Sequence, residues 1–261
     1  MIEATALAAL PSQDVLIVDC RFALDDPGKG ERDFVEAHIP RAVHASLDRD
    51  LSDLSKTGMG RHPLPDPEAF VRTLSRWGFR RGQRVVAYDD AGIPAGVLDG
   101  GWQAWRSAGL PVEHGAAAPR KATSIELHFD PARIVYCEEL EGLRGQPSTL
   151  MLDARAAPRF RGESEPIDRA AGHVPGARNR PFSENLADDG RFKDAATLRA
   201  EFTAALAGHV PREVVHMCGS GVTACHNLLA MEAAGLSGSR LFAPSWSGWV
   251  SDPTRPVATG D

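Results

Sequence analysis

The sequence contains no apolar run close to the roughly 20 residues that a membrane-spanning helix requires. Its four cysteines, Cys20, Cys137, Cys218 and Cys225, form no CxxC pair, which argues against a zinc site and against a disulfide framework. Basic residues are not in excess, because 29 Lys and Arg stand against 35 Asp and Glu, and no basic stripe suits nucleic acid. We therefore expect a protein without membrane or nucleic-acid partners and without a bound metal or cofactor.

The N-terminal stretch MIEATALAALPSQD lacks the Lys or Arg that would precede the apolar part of a signal peptide. Together with the lack of a disulfide pattern, this predicts a reducing, cytoplasmic setting. The remaining composition is that of a globular protein, with 43% apolar and 25% charged residues. A length of 261 residues suits two domains of about 130 residues each.

The chain repeats itself once, in four pairs of similar blocks that occur in the same order. The pairs are LIVDCR 16–21 with LMLDAR 150–155, AHIPRA 37–42 with GHVPGA 172–177, VVAYDDAG 85–92 with VVHMCGSG 214–221, and GWQAW 101–105 with SWSGW 245–249. These matches indicate a duplicated fold of about 120 residues per copy. Because His38 and His173 occupy equivalent places in the two copies, we expect them to be structural.

Each copy alternates short β-branched apolar runs with helical patterns, which predicts an α/β fold. The runs VLIVD and EVVHM are apolar on both faces, as is typical of parallel strands that helices cover. We expect helices over 65–79, 194–208 and 223–235.

Small, proline and basic residues are mixed over 115–129, which is typical of a connector that packs only locally. The predicted organisation is therefore a first domain at 1–118, a linker at 119–130 and a second domain at 131–261.

The loop CGSGVT at 218–223 lies between the run EVVHM and the helical pattern TACHNLLAMEAAG. It should lie at the carboxyl end of a parallel strand, where open α/β sheets bind ligands. A helix N-terminus offers unpaired N–H groups to an anion, so we expect the pKa of the Cys218 thiol to fall below its free value of about 8.5. A buried structural cysteine is the alternative. The flanking Gly219 and Gly221 at a strand-to-helix turn favour a nucleophile.

The sequence Cys-Gly-Ser-Gly-Val-Thr resembles the active-site loop of the two-domain rhodanese-type sulfurtransferases, which act on thiosulfate or 3-mercaptopyruvate. The resemblance extends to DGGWQAW 99–105, RFRGE 159–163, GHVPGARN 172–179 and SWSGWVSDPTRPV 245–257. It implies tandem rhodanese-like domains, each a small parallel sheet flanked by helices, with an inactive first domain and a catalytic second domain. The repeat agrees, because Asp89 stands at the position of Cys218 and an aspartate cannot carry a sulfane sulfur.

The resemblance implies that Cys218 takes a sulfur atom from a small anionic donor and holds it as a persulfide. The backbone amides of the loop, including those of Gly219, Gly221, Val222 and Thr223, would surround that persulfide. A thiol such as thioredoxin, a small thiol, or cyanide in an assay would then accept the sulfur.

Further site residues follow from the resemblance. Arg159 matches the arginine that binds the donor in this family. Ser220, His62 and Asp48 match the residues that act on 3-mercaptopyruvate in the enzymes that use it. The resemblance implies that these three polarise the carbonyl of the donor and stabilise the enolate that leaves.

The resemblance favours 3-mercaptopyruvate as the donor and leaves thiosulfate as the other candidate. Thiosulfate enzymes of the family carry cationic residues directly after the cysteine, whereas Gly219 and Ser220 are neutral. One departure weakens the preference, because Ile167 stands where mercaptopyruvate enzymes carry a second arginine. Arg169 lies two residues further on and is a candidate substitute.

Two other functions use the same fold. Phosphatases of this fold have a Cys-x5-Arg loop whose arginine clamps the phosphate, but the sixth residue after Cys218 is Ala224. A non-catalytic sulfur carrier or interaction protein would be favoured if the second copy also lacked its cysteine. The second copy has this cysteine, Cys218. An enzyme that transfers sulfur is therefore the main hypothesis.

The first copy is shorter than the second between two matched blocks. Asp89 and Trp102 are 13 positions apart, whereas Cys218 and Trp246 are 28 positions apart, which indicates that a helix is missing near 93–96. A parallel crossover normally takes a dozen residues or more. Either the first domain is remodelled, or the sequence omits a segment of about 15 residues. We favour the omission. An intact mass equal to 28.0 kDa would refute the omission.

Overall fold

The structure is a computed structural model that describes residues 1–90 and 98–261. The shortened stretch at 93–96 lies outside these residues. The chain divides into two compact units. Unit 1 comprises Met1–Asp53, Leu64–Phe129 and Asp189–Arg191, and unit 2 comprises Leu54–Pro63, Asp130–Asp188 and Phe192–Asp261.

Unit 1 is a parallel sheet with helices. Its elements are α1 (Ala4–Ala8), β1 (Val15–Asp19), α2 (Lys29–Glu36), β2 (Val43–His44), α3 (Pro67–Arg76), β3 (Arg84–Tyr88) and α4 (Gly101–Ser107). In the described part of unit 1 the strand order is β2-β1-β3, and both pairings are parallel. Residues 15–18 of β1 are apolar, and both faces of the strand are buried: Val15 and Ile17 belong to one core cluster, and Leu16 and Val18 to another.

The connector after α4 is anchored to the end of α3. Helix α3 is the helix predicted over 65–79, and Pro67 opens it while Arg76 lies in its last turn. The N–H of Thr123 donates to the carbonyl of Ser75 at 3.2 Å, and its hydroxyl donates to the carbonyl of Phe79 at 2.6 Å. These bonds hold the connector against unit 1.

Unit 2 contains a larger parallel sheet. Its elements are β4 (Ile134–Val135), α5 (Cys137–Leu143), β5 (Leu150–Asp153), α6 (Ala157–Phe160), β6 (Arg178–Asn179), α7 (Ala195–Leu206), β7 (Val214–Met217), α8 (Val222–Ala233), β8 (Arg240–Phe242) and α9 (Ser245–Trp249). The strand order is β4-β8-β7-β5-β6, with parallel pairing throughout. Among the described residues, no helix is both long and apolar enough to cross a membrane.

Both faces of the central strands in unit 2 are buried, as in unit 1. Met151 on β5 faces one core cluster, and its neighbours Leu150 and Leu152 face the other. Strand β7 alternates in the same way, with Val215 on the first side and Val214 on the second. The α/β fold predicted from the apolar runs is therefore confirmed.

The two units repeat the same details of structure. Val18 pairs with Ala87 in unit 1, and the equivalent Leu152 pairs with His216 in unit 2, so the strand register is the same. His38 and His173 are both buried and stack on a phenylalanine with ring centroids 3.8 Å apart. Their equivalent packing agrees with the structural role expected for them.

Candidate active site

Cys218 begins the loop between β7 and α8 and is almost completely buried, with 2% of its surface exposed. Its Sγ accepts a hydrogen bond from the N–H of Gly221 at 3.1 Å, at the N-terminus of α8. Its own N–H donates to the Ser245 hydroxyl at 3.1 Å, and that hydroxyl donates to the carbonyl of Phe242 at 2.9 Å. The backbone and the sulfur of Cys218 are thus both held in place.

Helix α9 provides further support for the loop. The N–H of Trp246 donates to the carbonyl of Cys218, and the N–H of Ser247 donates to the carbonyl of Gly219, each at 2.9 Å. These carbonyls are bound to α9, while the N–H of Gly221 in the same loop points at the cysteine sulfur. Such an arrangement suits an anion.

The segment 54–63 belongs to unit 2 and lies against the turn before α9. Gly60 approaches so closely that a Cβ built on it would lie 2.5 Å from the carbonyl oxygen of Pro244. The N–H of Arg61 donates to the Ser247 hydroxyl at 2.9 Å. A side chain at position 60 would push the segment away, so this glycine permits the approach.

His62 and Ser220, which the resemblance pairs, are brought together. His62 Nδ1 lies 3.1 Å from Ser220 Oγ. Since the imidazole can donate or accept at Nδ1, the direction of this bond follows the tautomer. Asp48 belongs to unit 1, and its part in the same relay stays a prediction.

Two arginines share the acidic residues beside the loop. Arg159 binds Glu165 through Nε at 3.2 Å and Nη2 at 2.6 Å, and its Nη2 also contacts Asp168 at 3.2 Å. Arg61 forms an ion pair with the same Asp168. Both Nη atoms of Arg159 would lie 3.7 Å from a Cβ built on Gly219, so this guanidinium lies next to the cysteine loop.

The carboxylate of Glu165 keeps Arg159 in this position. Burial opposes ionisation of Glu165, but hydrogen bonds from Arg159 and from the N–H groups of Asp168 and Ile167 outweigh it and lower its pKa. Within the described residues, Nη1 of Arg159 has no hydrogen-bond partner. It is therefore a charged donor available to a ligand at the loop.

Arg61 was not among the residues predicted from the sequence. Its only signal was its place beside His62 in the motif GRHPLP, and motif spacing alone did not distinguish it from an ordinary surface arginine. Arg61 is a second cation beside Arg159. Both arginines contact Asp168, which lies between Ile167 and Arg169 in the sequence. Val222 and Thr223 form the first turn of α8, which begins one residue earlier than the helix expected over 223–235.

Burial disfavours the thiolate form of the other three cysteines. Burial, together with the nearby Cys218, raises the pKa of Cys225 to about 12. Burial also raises the pKa of Cys137 to about 11 and that of Cys20 far above its ordinary value. These three thiols are therefore protonated and unreactive near neutral pH.

Comparison with known proteins places this site in a family. Residues 3–108 and 136–252 both match the rhodanese-like domain. A Pseudomonas aeruginosa protein, provisionally named a 3-mercaptopyruvate sulfurtransferase, is 46% identical over 280 aligned positions that cover 100% of this chain and 98% of that protein. The SseB protein of Mycobacterium tuberculosis, provisionally named a thiosulfate sulfurtransferase, is 40% identical and covers 100% and 97% of the two chains.

A solved structure supports the same grouping. The 3-mercaptopyruvate sulfurtransferase from Leishmania major is 30% identical, with a TM-score of 0.82, over 97% of this chain and 73% of that one. The duplicated fold predicted from the sequence agrees with these relatives. The chain belongs to the rhodanese family and is a tandem-domain sulfurtransferase.

Proposed function

We propose that the protein moves a sulfane sulfur from 3-mercaptopyruvate, through a persulfide on Cys218, to a thiol acceptor. The observation that carries this proposal is the Cys218 sulfur, 3.1 Å from the Gly221 N–H at the N-terminus of α8. The N–H groups and the helix dipole there stabilise a thiolate. The neighbouring amides of Gly219, Val222 and Thr223 are available to stabilise the charge of the persulfide.

The two arginines recognise the carboxylate of the donor. Arg159 offers Nη1 beside the loop, and Arg61 adds a second positive charge through its pair with Asp168. Glu165 and Asp168 hold the guanidiniums but also balance their charge, so the site does not bind every anion strongly. A planar carboxylate suits the remaining guanidinium donor.

The reaction is a displacement at sulfur. The Cys218 thiolate attacks the sulfur of 3-mercaptopyruvate, the S–S bond forms, and the C–S bond breaks. The electron pair of that bond becomes the enolate of pyruvate, which then takes a proton. Ser220 donates a hydrogen bond to the developing enolate oxygen, and His62 at 3.1 Å orients its hydroxyl.

Thiosulfate is the second candidate donor, because the M. tuberculosis relative carries that name. Its leaving group, sulfite, is already a stable anion and gains little from Ser220. Steady-state kcat/KM for the two donors, measured on one preparation, distinguishes them. A higher value for thiosulfate would overturn the choice of donor and leave the Cys218 persulfide intact.

The acceptor is a thiolate, because the outer sulfur of a persulfide is open to attack by a second sulfur nucleophile. We propose reduced thioredoxin or a small thiol, and a cytoplasmic location. The support is that all four cysteines are free in the structure, as suits a reducing compartment. Incubating the persulfidated protein with reduced thioredoxin should return its mass to the starting value.

Mass spectrometry of the intact protein tests the persulfide directly. After treatment with 3-mercaptopyruvate and removal of excess donor, the mass should rise by one sulfur atom. Peptide mapping should place that sulfur on Cys218, and the Cys218→Ser variant should show no gain.

Cys225→Ser is the matched control, because it removes the neighbouring thiol and should leave the gain in mass unchanged. An added sulfur that maps to Cys225, Cys20 or Cys137, or that never appears, would show that the nucleophile is wrongly assigned.

A further inference from the structure

Unit 1 contains a cationic cavity that the sulfur-transfer reaction does not use. The cavity has a volume of about 340 Å³, and the β1 residue Val15 is one of the residues that line it. Four cationic side chains line it: Arg41, Arg80, Arg120 and Lys121. None of the residues that line it is acidic. We call it the arginine cavity.

The positive charges of the arginine cavity are not neutralised. Across residues 1–90 and 98–261, none of its four cationic side chains forms an ion pair with a carboxylate. Glu113 accepts the backbone N–H of Arg41 at 2.9 Å but does not line the cavity. Burial and the nearby charge of Arg41 lower the pKa of Arg120. The two guanidiniums are therefore close enough to repel each other without a counter-charge.

Arg120 is fixed in this position before any ligand binds. Its Nη1 donates to the carbonyl of Trp77 at 3.3 Å, and its Nη2 donates to the carbonyl of Arg41. The two carbonyls orient the guanidinium, but as neutral groups they do not cancel its charge. A pre-oriented, uncompensated guanidinium is what an oxyanion site requires.

Arg41 occupies a strained backbone position. Its φ is +67°, in a turn in which the N–H of Ala42 donates to the carbonyl of Ile39 at 3.0 Å. The equivalent residue in unit 2 is Gly176, with a φ of +89° in the same kind of turn. Glycine is the residue that suits this conformation. An arginine is strained here, and its side chain lines the arginine cavity.

From these observations we infer that the arginine cavity binds a small molecule that carries phosphate groups. Guanidinium groups match the geometry of phosphate oxygens, and a lysine adds a further charge. Gln13 lines the same cavity and offers a polar side chain to the rest of the ligand. The volume is in the range of sites for small ligands.

Isothermal titration calorimetry at constant ionic strength tests this site, with inorganic pyrophosphate and ADP as the two probes. Wild-type protein should bind at least one of them saturably, near one per chain. Tighter binding of ADP would indicate a nucleotide as the source of the phosphate, and equal binding would indicate the phosphate groups alone. The absence of saturable binding for both probes would overturn the inference.

Variants locate the binding. Arg120→Met should weaken it by about tenfold or more, and Arg120→Lys should retain part of it. The control is Arg72→Met, which removes an exposed arginine of α3 outside the cavity and should leave the affinity unchanged. Equal affinities for Arg120→Met and Arg72→Met would refute the site. Sulfur transfer should persist in all three variants and serves as the check that they fold.

Arg41→Gly separates ligand binding from stability. Glycine relieves the strain at φ +67°, so the melting temperature without ligand should rise by about 2–4 °C. The affinity for the probe should fall several-fold because one cation is removed. A rise in melting temperature with unchanged affinity would show that Arg41 takes no part in binding.

Discussion

Unit 1 and unit 2 place their matched tryptophan helices in the same way, but they differ at the residue that opens each helix. In unit 1 this residue is Gly101, with a φ of +56°, and in unit 2 it is Ser245, with a φ of +52°. The serine costs about 1 kcal/mol of backbone strain that the glycine avoids. In return, its hydroxyl accepts the N–H of Cys218 at 3.1 Å. Unit 2 therefore tolerates strain where it positions Cys218.

The loops themselves show what the common backbone does not determine. The N–H of Trp102 donates to the carbonyl of Asp89 at 2.8 Å, and the N–H of Trp246 donates to the carbonyl of Cys218 at 2.9 Å. Both units thus hold the first loop residue in the same way. Only unit 2 places a cysteine there.

The turn at Arg41 and Gly176 reverses the pattern, because here unit 1 carries the strained side chain and unit 2 the glycine. Arg41 lines the arginine cavity, and Ser245 supports the Cys218 loop. The two copies have therefore kept one backbone and diverged in the side chains placed at its left-handed positions. Exchanging residues between equivalent positions tests this interpretation.

The largest effect is expected for Ser220→Ala. This change installs the alanine that the first copy has at the equivalent position, 91. Loss of one hydrogen bond to the developing enolate should lower kcat/KM for 3-mercaptopyruvate by about 100-fold, which corresponds to about 3 kcal/mol. The value for thiosulfate should change much less. Steady-state kinetics with both donors measures the difference, and equal losses would remove Ser220 and His62 from the mechanism.

The next effect concerns acid stability. Burial lowers the pKa of His216 to about 3 from its ordinary value of 6.5. As the pH falls below about 6.5, the unfolded chain takes up a proton that the folded chain does not. The free energy of unfolding should then fall by up to about 1.4 kcal/mol per pH unit until the pH nears the folded value.

His216→Ala installs the unit 1 residue, Ala87, and should flatten this dependence. The melting temperature of each variant is measured at about pH 7 and at about pH 5. The difference between the two values does not contain the pH-independent effect of the cavity that the smaller side chain leaves. His226, whose pKa burial lowers to about 4, remains and should preserve part of the slope. The exposed His128, changed to Ala, is the control. An unchanged slope in His216→Ala would contradict the assignment.

The smallest effect is expected for Ser245→Gly, which gives unit 2 the residue of unit 1. The Cys218 N–H loses a hydrogen bond worth about 1 kcal/mol, so kcat/KM should fall about fivefold with either donor. The melting temperature should change little, because glycine relieves the strain at φ +52°. Ser245→Ala keeps the strain and loses the bond, and it should be the less stable variant. Full activity in Ser245→Gly would mean that the serine does not position Cys218.

Part of the site could be predicted because its determinants are local. Strand β7, the glycine-flanked cysteine and helix α8 follow one another within about 20 residues, and apolar patterning predicts such a unit. The pairing of His62 with Ser220 came from the family resemblance, and the structure agrees at 3.1 Å. Spacing could not have suggested it, since the two residues are far apart in the chain.

Arg61 and Ser245 could not be predicted. Arg61 reaches the site only because Gly60 lets its segment approach Pro244, and such a fit depends on backbone atoms distant in the sequence. In the sequence, nothing distinguishes Ser245 from any other serine that precedes a tryptophan. Its role depends on a positive φ, which the neighbouring letters do not reveal.

The amino-acid sequence by itself determined the duplicated α/β architecture and the strand–loop–helix unit that carries Cys218, because hydrophobic periodicity and glycine placement act over a few residues. Only the tertiary structure decided which charges meet. It pairs Arg159 and Arg61 through Asp168, and it gathers Arg41 and Arg120 without a carboxylate. Electrostatic interactions depend on distance in space and on burial, and neither can be read from order along the chain.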